Sequence, residues 1–412
     1  MALDAKLPRA TELLAREHEA AAASVAELTP DLAFAEHETL RYQRPELPPL
    51  NEVARYYALA EEARFYSNGG PCYERLASRL ADSIGDVSCI PVGNCTLGLI
   101  AAIRGLCGAP AGRRKLIAVP SFTFTATACA IRWAGFEPLF VDIEPDSWQL
   151  APDALAEALA RYDGRVAGVM GCSTFGTAAP TAVRDRWRRL CADAGTPLLI
   201  DSAAGFGGLD EGGLPLGAQG DTEVFSFHAT KPFAIGEGGA VVTSDPDLAE
   251  RITRLINFGI DPDTRTSVTV GLNAKMSELH AATGLAMLDR FPDALDRRRA
   301  TARQLQALFS SKPLTYQVGS ESSTWQVFQL LMPAAQSRQR TVTLASAHNI
   351  EVRTSFDPPL HRHPAFEGAE IAGDLPVTDH VAARALSLPM ANTMGPRQRV
   401  RLGRLMEAAF AA

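Results

Sequence analysis

From about residue 86, short apolar or β-branched runs alternate with Ala-rich stretches of helical period, and this rhythm limits the possible folds more than any other feature of the chain. The strand-like runs are SCIPV (88–92), KLIAVP (115–120), EPLFVDI (137–143), RVAGVMGC (165–172), PLLIDSA (197–203), TEVFSFH (222–228) and GGAVVTS (238–244). Between them helical periodicity fits about 96–106, 123–134, 152–161, 181–194 and 246–256. Alternating strands and helices of this kind predict a mostly parallel sheet covered by helices on both faces. Only a short link joins the last two runs, which allows one of that pair to be antiparallel.

The flanking regions read differently. Residues 1 to about 40 are rich in Ala, Glu and Leu and suggest one or two helices, and RPELPPL (44–50) breaks that pattern as a linker. Beyond about 259 the rhythm gives way to a long helix expected at 275–291 and then to mixed helices and short strands. The expected organisation is an N-terminal helical extension (1–43), a large α/β domain with a seven-stranded sheet (44–258) and a smaller α+β domain (259–412). A chain of 412 residues is long enough for two or three domains and for a core without staples.

Composition closes off several classes of function. Hydrophobic residues at 46% and charged residues at 21% are ordinary globular values, which excludes collagen-like and disordered chains. A net charge of −7 with no long basic run argues against a nucleic-acid binder. No stretch approaches the roughly 20 apolar residues that span a bilayer, and the first residues lack a signal-peptide core. The expectation is a soluble cytoplasmic protein, with no membrane or nucleic-acid partner. Seven scattered cysteines, none in a CxxC pair or at zinc-ligand spacing, fit buried thiols in a reducing compartment and predict no metal site.

In open parallel sheets, ligands bind beyond the carboxyl ends of the strands. Four useful groups fall at such places. Gly93, Asn94, Cys95 and Thr96 stand between a strand and a helix, where free backbone N–H groups attract an anion and the Thr96 hydroxyl adds a donor; a bare N-cap is the alternative. Asp201 ends an apolar strand, where a carboxylate needs a cation or donors unless it only caps the next turn. Lys231 follows another strand ahead of a Gly-rich stretch, and burial would free its amine as nucleophile or base; a surface ion pair is the alternative. Ser226, five residues earlier, can join Thr96 at the same anion or be merely structural. An anion cradle, a buried acid and a buried lysine are the parts that pyridoxal 5′-phosphate requires, and Phe124 lies where an aromatic face can stack on its ring.

Longer segments point the same way. FSFHATKPFAIGEGGAVVTSD, VPSFTFTATACAIRWAGFEPLFVDI, LLIDSAAGFGG, VGLNAKMSELHAATGLAML, SNGGPCYERLASRLAD and DPPLHRHPAF resemble motifs of the DegT/DnrJ/EryC1/StrS sugar aminotransferases, which have the aspartate-aminotransferase fold, fold type I of the enzymes that use this cofactor. The likeness covers roughly residues 44–410. It implies that Lys231 is the Schiff-base lysine and Asp201 the partner of the pyridine nitrogen. It further implies that Phe124 stacks on the ring, and that Cys95, Thr96, the Leu97 amide and Ser226 surround the phosphate. Asn273 would reach the phosphate of the neighbouring subunit, making the active unit a homodimer with shared sites.

The sequence departs from the family pattern at Ala204, where His or Gln usually lies near the cofactor's ring oxygen. Cys95 stands where Gly is common, and the N-terminal extension lies outside the family core. The implied substrates are small molecules: L-glutamate or L-glutamine as amino donor and a keto sugar as acceptor, specifically a nucleoside-diphosphate-linked 4-keto-6-deoxy sugar. HisAlaThrLys ahead of the lysine favours 4-amination. His228 either faces the substrate or makes an ordinary hydrogen bond. A keto cyclitol or other non-sugar ketone is the alternative acceptor, and a non-catalytic regulatory member of the fold is a further alternative. The retained Lys231 argues against a sugar dehydratase, in which histidine stands in for it.

Overall fold

The structure, a computed structural model, describes residues 38–411. Residues 1–37 of the expected helical extension (1–43) lie outside the described residues; its end, 38–43, is not helical but extended, with single bridges from Leu40 to Ile350 and from Gln43 to Met390. The expected strands are β1 (Ser88–Val92), β2 (Leu116–Pro120), β3 (Glu137–Val141), β4 (Val166–Cys172), β5 (Leu198–Asp201), β6 (Thr222–Ser226) and β7 (Gly239–Thr243). They form one sheet in the order β1-β7-β6-β5-β4-β2-β3. β7 is the antiparallel member and pairs in that sense with both β1 and β6.

The sheet has eight strands rather than the expected seven. Its last member, β9 (Glu370–Ile371), pairs parallel with the edge of β3 through Leu139 and Phe140. Two residues carry no periodicity, so nothing local could reveal them. The C-terminal segment thus covers an edge that would otherwise be open.

Alternate residues of the central strands feed separate cores. Ile117 and Val119 face Leu99 and Ile103 of α3 (Cys95–Cys107), Ala128 and Ile131 of α4 (Thr125–Trp133) and Ile252 of α7 (Pro246–Leu255). Leu116 and Ala118 face Leu155 of α5 (Pro152–Arg161) and Trp187 of α6 (Thr181–Asp193). This two-sided burial explains why the strands read as continuous apolar runs. Beneath Phe225 and Val242 a third core gathers α1 (Leu50–Ala63), α2 (Pro71–Ile84) and the first half of α8 (Glu278–Leu308).

α8 begins at the Ser277 cap, whose hydroxyl accepts from the His280 N–H, and runs past the expected end at 291. Pro292 removes one backbone donor. The helix continues because both halves are anchored: Phe291 and Leu295 in the core beneath the sheet, Ala302 and Leu305 in another. That second core surrounds a two-stranded sheet of β8 (Phe328–Leu331) and β10 (Ala385–Leu388), with α9 (Ala335–Ala347), α10 (Pro376–Ala382) alongside, and α11 (Pro396–Phe410). A strap of residues 40–46 is tied to it by Leu40 N–H to Asn349 O (2.8 Å) and Glu351 N–H to Leu40 O (3.0 Å). Among the described residues no helix is long and apolar enough to cross a membrane, and no cluster of His, Cys, Asp and Glu could hold a metal.

Candidate active site

The carboxyl ends of β1, β2, β5 and β6 meet over one floor. Asn94 caps α3 there, its Oδ1 accepting the Leu97 N–H at 2.9 Å, and the next amide, Gly98, donates to Asn94 O. The Leu97 amide expected at an anion is therefore spent on the cap. The Cys95 and Thr96 amides carry no bond to another described residue, the ordinary state of a helix's first N–H groups. Gly239 lets the cradle close: a Cβ on it would stand 3.0 Å from Cys95 N and 2.6 Å from Phe225 O. Gly239 pairs with Ser226, whose buried hydroxyl accepts the His228 N–H at 3.3 Å. Burial, and secondarily the Asp201 charge, pushes the Cys95 thiol well above its ordinary pKa. The thiol is then neutral and does not repel an anion.

Asp201 closes β5 with only 7% of its surface exposed. Thr127, in the first turn of α4, donates its hydroxyl to Oδ2 at 2.7 Å, and the Ala203 N–H donates to Oδ1 at 3.1 Å. Burial raises the carboxyl pKa, and these two bonds together with the Lys231 charge oppose the rise. An acid so placed stays ionised most readily beside a cation.

Lys231 sits in the loop from β6 to β7, shaped by the bonds Lys231 N–H to His228 O (2.9 Å) and Ala229 N–H to Gly236 O (2.8 Å). Its side chain keeps some contact with solvent, but protein atoms crowd the amine and desolvation lowers its pKa; the Asp201 charge opposes that shift. A lysine whose ammonium form is disfavoured relative to a free lysine is a more usable nucleophile or base. Its Nζ donates to Gln326 Oε1 at 3.3 Å.

The remaining expected residues are placed as follows. Phe124 caps the start of α4 between Thr123 and Thr125 and is 64% exposed. Asn273 is exposed, and its neighbour Ala274 accepts the Gly93 N–H at 2.8 Å. His228 is partnered locally by Thr230 Oγ1 (2.8 Å) and Glu237 Oε1 (3.6 Å). At Ala204 the backbone carbonyl takes the Thr324 hydroxyl at 2.7 Å, and Gly176 packs directly against it. Three participants went unread in the sequence: Thr127, Gly239 and Gln326. A hydroxyl four residues beyond Thr123 in a helix start was the one available signal for the first.

A helix N-terminus with free amides, a serine beside it, a buried acid and a desolvated lysine fit the phosphate, ring nitrogen and aldehyde of pyridoxal 5′-phosphate. The chain also superposes on the solved structure of DesI determined with its TDP-sugar product, with a TM-score of 0.82 and 33% identity over 92% of this chain and 97% of that one. Fold and site together define a pyridoxal-phosphate-dependent aminotransferase. Residues 51–404 match the model of the DegT/DnrJ/EryC1/StrS aminotransferase family, and the chain belongs to that family. Protein Rv3402c of Mycobacterium tuberculosis is 36% identical over 86% of each chain. The dTDP-4-amino-4,6-dideoxy-D-glucose transaminase of Shigella dysenteriae is 29% identical over 84% of this chain and 92% of its own.

Proposed function

We propose that the protein moves an amino group from L-glutamate or L-glutamine to a nucleoside-diphosphate-linked 4-keto-6-deoxy sugar, working as a cytoplasmic homodimer. The observation that carries this reading is the desolvated Lys231 amine set on the same floor as buried Asp201 and the open start of α3. The sugar is supported by the Shigella transaminase and by DesI, whose names give dTDP- and TDP-linked sugars.

Pyridoxal phosphate, when bound, supplies an electron sink for the carbanion formed at a reacting carbon. The Cys95 and Thr96 amides, with the Thr96 and Ser226 hydroxyls, bind the phosphate dianion at the positive end of α3. Asp201 holds a proton at the ring nitrogen, and the Thr127 bond keeps its carboxylate aimed. Phe124 covers the ring face. Lys231 is the residue that would hold the cofactor's aldehyde carbon, and the donor's amine would displace Nζ from it. Its free Nζ then takes the proton from the donor's α-carbon and, in the second half of the cycle, delivers one to the sugar C4.

Asn273 of the partner subunit adds a donor to the phosphate. Exposed Val268 and Val270, close to Asn273 in sequence, and Phe258 beside it give that surface an apolar character suited to a second copy.

Purified protein is expected to be yellow, and L-glutamate or L-glutamine should bleach the visible band. Borohydride should fix the cofactor to Lys231, found by peptide mapping. The bleached enzyme should then aminate a dTDP-4-keto-6-deoxyhexose, detected by mass. A fully loaded preparation that responds to neither amino acid would refute the donor. Amination of a keto cyclitol in place of the nucleotide sugar would transfer the assignment to a non-sugar acceptor.

A further inference from the structure

The reaction leaves one conspicuous contact of Lys231 without a role. Gln326 comes from residues 323–326, a segment outside the large sheet. Trp325 there has φ of 51°, a left-handed conformation that is costly for a bulky residue and persists only under constraint. The constraints are identifiable. Trp325 N–H donates to Ser323 Oγ at 3.3 Å, and buried Arg298 donates to Trp325 O at 2.7 Å and to Gln326 O at 3.3 Å. The indole stacks on Phe328 at 5.3 Å. Gly176, with φ of 84°, lets Thr324 seat on Ala204 O, because a Cβ there would stand 2.6 Å from the Thr324 hydroxyl.

The outcome is a side-chain amide with both ends assigned. Gln326 Nε2 faces Thr230 O at 3.5 Å, which leaves Oε1 to accept from Lys231 Nζ at 3.3 Å. We propose that Gln326 is a positioning residue for Lys231, receiving the lysine amine each time it is freed and holding it over the reacting carbon. The inference rests on the reading of Lys231 as the proton carrier. An amide suits this task because it does not titrate. The titrating neighbours are Asp201 and Cys95 on the floor, His228 with Glu237 on the lysine's own loop, and Arg298 with Glu46 behind Gln326.

The test uses cofactor-free full-length protein, pulsed with acetic anhydride across a pH series, with Lys231 labelling read by peptide mass. An oxygen that accepts from the amine favours its protonated form, so Gln326→Leu should lower the labelling midpoint by about one unit, a tenfold change in protonated fraction. Gln326→Glu, nearly isosteric although its second oxygen then faces Thr230 O, should raise it by at least as much. In the loaded enzyme Gln326→Leu should lower kcat about tenfold while the donor KM moves less than about twofold. Coincident midpoints for wild type, Leu and Glu variants would overturn the proposal, since packing alone would not shift the lysine's ionisation in opposite directions. If borohydride links no cofactor to wild-type Lys231, the underlying reading fails, and the midpoints still decide the Gln326 contact separately.

Discussion

The two sides of the site are built by different means. The floor consists of sheet: Asp201, Ser226 and the loop of Lys231 all follow directly from strand ends, and their positions are set by backbone pairing within one rigid layer. The opposite side consists of side chains and strained backbone brought from elsewhere. Gln326 depends on Arg298, the positive φ of Trp325 and the strap residue Gln43, which reaches Thr230 O at 3.5 Å. The floor supplies reactive groups in place by topology, whereas the far side adjusts them through buried hydrogen bonds.

Four substitutions test this division, from the largest effect down. Lys231→Ala should keep the fold and bind cofactor but lose about 10⁴-fold in turnover, measured with saturating donor and acceptor. Asp201→Asn should cost about 10³-fold in kcat and shift the visible band, because the ring nitrogen loses its charged partner. On the far side, Arg298→Met leaves Asn392 Oδ1 and two carbonyls without their donor. Burial already pushes that guanidinium down to about 10, a sign of how fully it is removed from water. Denaturant unfolding should show about 3 kcal/mol lost, with activity reduced only about tenfold. A loss of activity as large as that of Lys231→Ala would erase the proposed distinction between the two sides. The smallest effect is expected for Ser226→Ala, about tenfold weaker reconstitution with pyridoxal phosphate by spectral titration, the worth of one bond to a charged group.

The same division explains what could be read from the sequence. The sheet was legible because each strand is buried on both faces and so carries an unbroken apolar run, and the groups at strand ends inherit their location from it. Asp201, Ser226, Thr96 and Lys231 became candidates by that rule alone. Gln326 had no comparable signal: it lies 95 residues from Lys231 in sequence, and only the packing of Arg298 and Trp325 brings the two together. The Leu97 amide is taken up by Asn94 for a subtler reason. Its place at the helix start was foreseeable, but whether Asn94 turns its own side chain back to that amide is decided by one rotamer. The through-running Pro292 shows the converse, a strong local stop signal overruled by two cores that grip the helix on either side.

That gripped helix has a mechanical consequence. Arg298 rides on the same rod as the residues anchored beneath the sheet, six positions past Pro292 and thus about 9 Å along the axis. A tilt of about 5° at the missing backbone bond would swing the guanidinium by about 0.8 Å, and with it the carbonyl of Gln326. A lever that short ties the backbone that presents Gln326 to the geometry of the helix at Pro292.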